Sequence, residues 1–526
     1  MKWWSWVCVA LVFLVPVASQ VHAKSTSPQH GGEYRFSLPA SPKTLDPARA
    51  ADVYGITLIQ QIFDGLVQFD ENLNVIPAIA RSWKVSRDGL LYHFALRNDV
   101  RFHHGRLVKA GDFVDAFARI LDPDIGSNAA GLFSRILGAQ AFMEGRASSV
   151  SGLRAAGPHD LEIRLAEPYP PFLPMLAMKS AKIVPSESIK NPESFARHPI
   201  GTGPFRFVRW ASDTRVVLEA NDGYFEGRPF LDQITYVIYP GFQSDRMVND
   251  FLEKKLDNVT VDSLENRSIL SDSGCQFVRK PTLSLLFYGI NCNRHALCQP
   301  EVRRALNLAV DRDAIVSLRE RYVVSKGVIP PGMPGYNPDQ TGYPFDPEKA
   351  RSLLTASGYP EGKGLGTVHL WSASRSELAQ SELAIVRKNF QAIGVSMEVH
   401  YETDWSAFET VLKEGRFDLF RFMIFSDIPD PEDSVLALFP SDSAYNFCSY
   451  RKPRFDRLME KTRREINPVN RARLFRQVEQ IIIDDCPIIP VLHFVYEGAF
   501  QPYVRGVELN ALGSQYIPMK KVWLEK

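Results

Sequence analysis

The spacing of apolar positions changes period several times along the chain, and each change marks an element. Alternation at Tyr34–Leu38 and at Leu91–Leu96 predicts half-buried strands, the second preceded by the turn-rich run Ser86-Arg87-Asp88-Gly89. A helix is expected from Asp112, because Phe113, Phe117, Ile120 and Leu121 then share one face, and Asp122-Pro123 ends it. Val216–Glu219 and Ile234–Ile238 read as further strands. Pro300 suits a first helical position, and the spacing of Val302, Leu306, Ala309 and Val310 predicts one helix as far as Arg321. Residues 322–343, rich in Pro and Gly, read as a long loop. Glu377–Ala392 is an amphipathic helix closed by Gly394, and a strand follows at Val395–Tyr401. Pro468 opens a last long helix with Leu474, Val478, Ile481 and Ile482 inward; Cys486-Pro487 ends it, and an apolar strand runs from Ile488 to Val495. Strands dominate the first third, whereas helices and strands alternate in the second half. An α/β fold with lobes of different construction is expected.

Composition narrows the class. The chain has 526 residues, 45% of them apolar and 23% charged, with 61 basic against 60 acidic side chains. These values exclude a wholly disordered, collagen-like or multi-spanning membrane protein. The charge balance supplies no general attraction to nucleic acid or to an anionic membrane, so neither is expected as a partner. Residues 1–23 read as a signal peptide: Lys2, the uncharged apolar run Trp3–Val17, then the cleavage site Val21-His22-Ala23. The run is shorter than the ~20 residues that a spanning helix needs. Export removes Cys8 and leaves Cys275, Cys292, Cys298, Cys448 and Cys486, an odd number, in a compartment where disulfides form. Cys292 and Cys298 are near enough in sequence to close a small loop, and the pairing is otherwise open.

Enzyme chemistry is not legible. No H-E-x-x-H, G-x-S-x-G or G-x-x-x-x-G-K-[ST] run occurs, and no catalytic group, resident metal or cofactor is read. Gly201-Thr202-Gly203-Pro204-Phe205 lacks the third glycine of a phosphate loop and leads into strand-like residues, so a tight turn is expected. His103 and His104, adjacent on an extended chain, would point to opposite faces and do not chelate together. The informative segment is Phe417–Pro431, an apolar strand with Arg421 in its middle, Asp427 at its end and a proline-rich turn beyond. Ligands gather where strand ends face a crevice. There a carboxylate receives an ammonium group and an arginine receives a carboxylate. On pattern alone, structural or surface ion pairs are the alternative.

Several runs, in order and spread over nearly the whole mature chain, resemble the periplasmic solute-binding proteins of oligopeptide and dipeptide ABC importers. They include Thr44-Leu45-Asp46-Pro47, Gln61-Ile62-Phe63-Asp64-Gly65-Leu66-Val67, Asp88-Gly89-Leu90-Leu91-Tyr92-His93-Phe94, Ala110-Gly111-Asp112-Phe113, Gly201–Phe205, Asn221-Asp222-Gly223-Tyr224-Phe225 and Val302-Arg303-Arg304-Ala305-Leu306-Asn307. The resemblance implies a two-lobed, type II periplasmic-binding-protein-like fold with an extra subdomain in the N-terminal lobe. It implies a first lobe from residues 24–63, 196–285 and 496–526, the extra subdomain at 64–195, and a second lobe at 286–495. It also implies an extended peptide held between lobes that close about a hinge, an inner-membrane permease as partner, no catalysis, and a monomer in the periplasm.

Residue by residue, the resemblance places Asp427 on the ligand's α-ammonium, Trp405 in a pocket wall and Arg421 on a ligand carboxylate. Val53, Met423 and Phe425 fall on positions that offer backbone hydrogen bonds. Ile424 replaces a pocket Trp common in peptide binders, and Ser284 and Phe425 stand where some members carry a disulfide. Two alternatives remain: the same fold carrying a metal chelate, haem or sugar, and a secreted hydrolase.

Overall fold

The structure is a computed structural model that describes residues 27–525 apart from 212, 242, 319 and 320; the signal-peptide reading of residues 1–23 lies outside the described residues. Two lobes are built on separate sheets. In the first, four strands lie in the order Glu33–Leu38, Gln233–Ile238, Arg215–Ala220, Phe205–Ala211, the first pair parallel and the rest antiparallel. A second four-stranded antiparallel sheet, Ala80–Val85, Leu91–Leu96, Asp160–Arg164 and Leu153–Gly157, carries the helix Ala110–Leu121. Its own core gathers Phe94, Phe113, Phe117, Phe133 and Phe172, all fully buried.

The glycines of the Gly201–Phe205 turn are required by close approach. A Cβ on Gly201 would stand 2.0 Å from the Ile62 carbonyl oxygen, and one on Gly203 would stand 2.4 Å from that of Gln61. The turn is thus pressed against the end of the Val53–Ile62 helix and leads into a strand, as expected. His103 is half-buried with Nε2 on the Gly203 carbonyl at 3.1 Å, while His104 pairs with Glu187 at 2.9 Å.

The second lobe is a sheet covered by helices on both faces. Its strands run Ile488–Phe500, Ser284–Ile290, Leu419–Phe425, Thr367–Ser372, Ser396–Tyr401. Ser284–Ile290 is buried at every position, as a central strand packed on both faces must be. On one face Tyr288, Leu370 and Leu419 meet the helices Pro300–Ala309 and Glu377–Ala392. On the other Phe287 and Phe420 meet Trp405–Lys413 and Pro468–Asp485.

The structure corrects the expected elements at three places and settles the open cysteine pairing. The helix predicted to reach Arg321 is two helices, Pro300–Ala309 and Arg312–Val316. Asp311 caps the second by accepting from the Ala314 N–H at 3.0 Å, and buried Arg312 donates to the Asn307 side chain and to the Pro490 and Tyr343 carbonyls. The predicted loop begins with a strand, Tyr322–Val324, paired with Leu492–Phe494. The final strand continues past Val495 to Phe500, because Glu497, fully buried, is paired with Arg267 and Arg279 and so fits an otherwise apolar run. All five described cysteines are free thiols; Cys292 and Cys298 donate instead to the Ile290 and His295 carbonyls.

The long last strand bridges the lobes. It pairs with Ser284–Ile290 through its first half and with Gln276–Pro281 through its second. Both crossings between lobes therefore lie side by side, with Pro281 opposite Val495. A polar cluster ties them: Thr282 N–H donates to the Phe494 carbonyl at 2.8 Å, Phe494 N–H donates to Ser284 Oγ at 2.8 Å, and His493 Nδ1 lies 2.6 Å from the Ser284 carbonyl. Burial pushes the His493 imidazole down to about 4. The folded protein holds it neutral where the unfolded chain takes up a proton, so its contribution is whole above pH ~6.5 and is lost as pH falls towards 4. The stability gap between wild type and His493→Asn should therefore shrink by on the order of 3 kcal/mol between pH 7 and pH 4 in urea titrations. A gap that stays constant contradicts a neutral hinge histidine.

Candidate functional site

The strand Leu419–Phe425 is paired along its whole length on one side and along only part of the other. Opposite Ser284–Ile290, its ladder runs from Phe425 to Leu419. Ser426 N–H donates to the Leu283 carbonyl at 2.8 Å, and Asn291 N–H donates to the Asp418 carbonyl at 3.0 Å. Backbone groups alternate in direction along an antiparallel strand, so those of Phe420, Phe422 and Ile424 face Ser284–Ile290. Those of Leu419, Arg421, Met423 and Phe425 face the other edge. Thr367–Ser372 covers that edge only as far as Arg421, where Ser372 ends. Among the described residues no strand continues the pairing, so the N–H and C=O groups of Met423 and Phe425 form a short open edge. Ser284 and Phe425 are directly opposite each other, the geometry in which a cross-strand disulfide would sit, here occupied by a hydroxyl and a ring.

Asp427 follows at the end of this edge. Its side chain reaches solvent, yet the protein packed around it pushes its carboxyl pKa up, and the Lys179 ammonium partly offsets that rise. Lys179 is buried; its Nζ donates to the Ala50 carbonyl and to Asn128 Oδ1. Burial lowers its pKa against the opposing fields of Asp427, Asp46 and Asp52. Tyr516, whose phenol is raised by burial and then by the charge of Asp427, approaches from the C-terminal part of the first lobe. Two separate pieces of the first lobe, those carrying Lys179 and Tyr516, thus act on one carboxylate of the second.

The loop that carries Asp427 is held from both sides. Ile428 joins the core of the subdomain built around Phe94 and Phe113. Asp430 and Glu432 are buried against Arg471, whose Nη2 lies 3.1 Å from Asp430 Oδ1 and 2.7 Å from Glu432 Oε2, while Nε donates to the Thr462 carbonyl. Sequence reading missed Lys179, Tyr516 and Arg471; a faint signal was Lys179 and Lys182 inside the run Ala177–Ile183.

The other expected residues separate. Trp405, 54% exposed, begins the helix Trp405–Lys413 and packs on Phe408 and Phe422, on the face opposite Met423. Val53 is the first residue of its helix and 51% exposed; its carbonyl accepts from Thr57 Oγ1, leaving the helix-terminal N–H to offer. Arg421, expected on a ligand carboxylate, is engaged within the protein. Its Nε and Nη2 already hold both oxygens of buried Glu382 at 2.9 and 2.8 Å, and Tyr288 OH donates to the same carboxylate at 2.7 Å. It fastens the Glu377–Ala392 helix to the strand.

Comparison with known proteins agrees with this architecture. The model of bacterial extracellular solute-binding proteins, family 5, matches residues 74–446. The chain belongs to that family. It is 27% identical to a probable di/tripeptide-binding protein 5 of Pseudomonas aeruginosa, covering 91% of this chain and 96% of that one. It is 28% identical to heme-binding protein A of Haemophilus influenzae, covering 94% and 92%. Among solved structures, the murein tripeptide binding protein MppA in its unliganded open form gives a TM-score of 0.84 at 23% identity, covering 94% of this chain and 97% of that chain. A second structure of MppA, from Escherichia coli, gives 0.69 at the same identity, covering 94% and 98%. Family members are substrate-binding proteins, and no helix among the described residues is long and apolar enough to cross a membrane.

The buried triad makes a direct prediction. Arg471→Ala strands the buried Asp430 carboxylate and leaves Glu432 only the half-exposed Arg463 at 3.0 Å, and should cost about 3–5 kcal/mol of stability. Chemical denaturation measures it, and a loss of the size seen for exposed ion pairs, below about 1 kcal/mol, contradicts the role given to Arg471.

Proposed function

We propose that this chain is the peptide-capturing component of an importer, holding an extended peptide by its main chain and its free amino terminus. The observation that carries the proposal is the open edge at Met423 and Phe425 running into the Asp427 carboxylate. A peptide added there as a further strand satisfies both residues' backbone groups without regard to side-chain identity. Its α-ammonium then meets Asp427. Val53 N–H and the Trp405 ring are assigned to the ligand's surroundings, and Arg421 to the scaffold. Side chains of varied size are accommodated through bridging water. The agreement with the unliganded open form of MppA supports lobes standing apart before capture, with closure about the paired crossings at Pro281–Ser284 and Val495. We take the receptor to act as a monomer. We place it in the periplasm, released from its signal peptide and delivering to an inner-membrane permease. Haem is disfavoured as cargo because its two propionates would meet Asp427 as like charges.

Isothermal titration of a tripeptide and its N-acetylated form tests the ammonium role. Asp427→Asn should weaken the free-amine peptide by about 2 kcal/mol or more, roughly 30-fold, and change the acetylated form little. Equal loss for both contradicts the assignment. The raised Asp427 carboxyl also means that wild-type affinity falls on acidification at a higher pH than an ordinary aspartate would give. The main-chain role has its own test. Phe425→Pro removes an N–H that no ladder uses, which an edge position tolerates. It should leave the melting temperature nearly unchanged and lower peptide affinity by about 1 kcal/mol. Unaltered affinity would argue against strand addition at this edge.

A further inference from the structure

The outermost strands of the second lobe bring together three residues that the peptide site does not use. Thr367–Ser372 and Ser396–Tyr401 run parallel, with His369 opposite Glu398 and Trp371 opposite His400. Side chains alternate along a strand. Val368, Leu370 and Met397 therefore enter the core, and His369, Trp371, Glu398 and His400 share the opposite face. His369 Nδ1 lies 3.0 Å from His400 Nε2. Glu398 brings one carboxylate oxygen to 3.6 Å from His369 Nδ1 and the other to 3.9 Å from His400 Nε2. Ligand atoms bound at about 2.1 Å on a tetrahedral ion stand about 3.4 Å apart. One donor atom from each of the three already lies within 4.8 Å of the others, so a turn of the exposed Glu398 carboxylate closes the set on one ion. Solvent reaches all three groups, with side-chain exposures of 44% for His369, 60% for Glu398 and 29% for His400, so a fourth position is open to water. The Trp371 indole stacks on the His400 ring at 5.0 Å and 23°, which fixes the plane of that imidazole.

We propose that His369, Glu398 and His400 form a binding site for a borderline divalent transition-metal ion, with zinc, nickel and copper the ions that suit imidazole and carboxylate together. Sequence reading weighed only His103-His104 as a metal pair; this set joins residues about 30 positions apart through a parallel ladder. The ligands come from both strands. Ser396–Tyr401 is the edge of the sheet, paired on one side only, so the ion acts as a staple that holds the edge strand to its neighbour.

The test uses the mature chain, dialysed against EDTA and then exchanged into chelator-free buffer. Zinc chloride is titrated calorimetrically, and thermal melts are run with and without zinc. One zinc per chain and a rise in melting temperature are expected, since an ion that binds the folded state stabilises it. His369→Ala, His400→Ala and the conservative, exposed Glu398→Gln should each weaken zinc by at least about 10-fold. Asp427→Asn should leave zinc affinity unchanged. Copper should quench the Trp371 fluorescence, and the quenching should be lost in His369→Ala. Wild-type protein that binds no zinc at about 100 μM, or zinc affinity that survives in both His400→Ala and Glu398→Gln, overturns the proposal; circular dichroism of each variant establishes that it is folded.

Discussion

A backbone donor and acceptor left unpaired inside a closing cleft is the constraint on which the structure turns. Each such group costs about 1–3 kcal/mol if it is buried without a partner. The strand Leu419–Phe425 keeps the main chain of Met423 and Phe425 unpaired because its neighbour ends at Ser372. While the lobes stand apart, water satisfies these groups. In the proposed capture, closure removes that water and is favourable only when the enclosed molecule brings its own N–H and C=O groups in strand geometry. Asp427 adds a second condition at the end of the same edge. Its carboxyl is already disfavoured as an anion by the surrounding protein, and in the proposed capture a cation arriving from the ligand relieves that cost.

The rest of the second lobe makes the edge dependable. Glu382, Arg421 and Tyr288 lock the covering helix to the sheet on one face. Arg471 holds the loop beyond Asp427 through two buried carboxylates. Ile428 anchors that loop against the first lobe's subdomain, so the carboxylate is positioned by contacts from both sides of the cleft. In the proposed closure, motion falls to the crossings, where Thr282, Ser284, His493 and Phe494 exchange hydrogen bonds over a few residues. A short paired ribbon of this kind bends without disturbing either core.

Much of this was legible from local pattern. The apolar strand with Arg421 inside it, the helix Glu377–Ala392 and the glycine turn at Gly201 follow from periodicity and turn chemistry, and the structure agrees with them. The place of Asp427 at the strand's end was legible from the pattern, while its assignment to a ligand ammonium came from the family resemblance. What pattern could not carry was pairing across distance. Arg421 looks the same in sequence whether it waits for a ligand or is held by Glu382, 39 residues away on a helix. The open edge is a matter of register, since it exists only because Ser372 meets Arg421 and the neighbouring strand then stops. Lys179 and Tyr516 reach Asp427 from chain segments far off in sequence. The break at Val310-Asp311 was hidden because apolar spacing continues through it, while the capping carboxylate of Asp311 decides the geometry.

Residue-resolved amide hydrogen exchange, measured with and without a saturating tripeptide, tests the central claim most directly. The open edge predicts fast exchange at Met423 and Phe425 in the free protein, slow exchange at their neighbours Phe422 and Ile424, and strong new protection at Met423 and Phe425 once peptide is bound. Protection of Met423 and Phe425 in the free protein, or no change there on peptide binding, would contradict it.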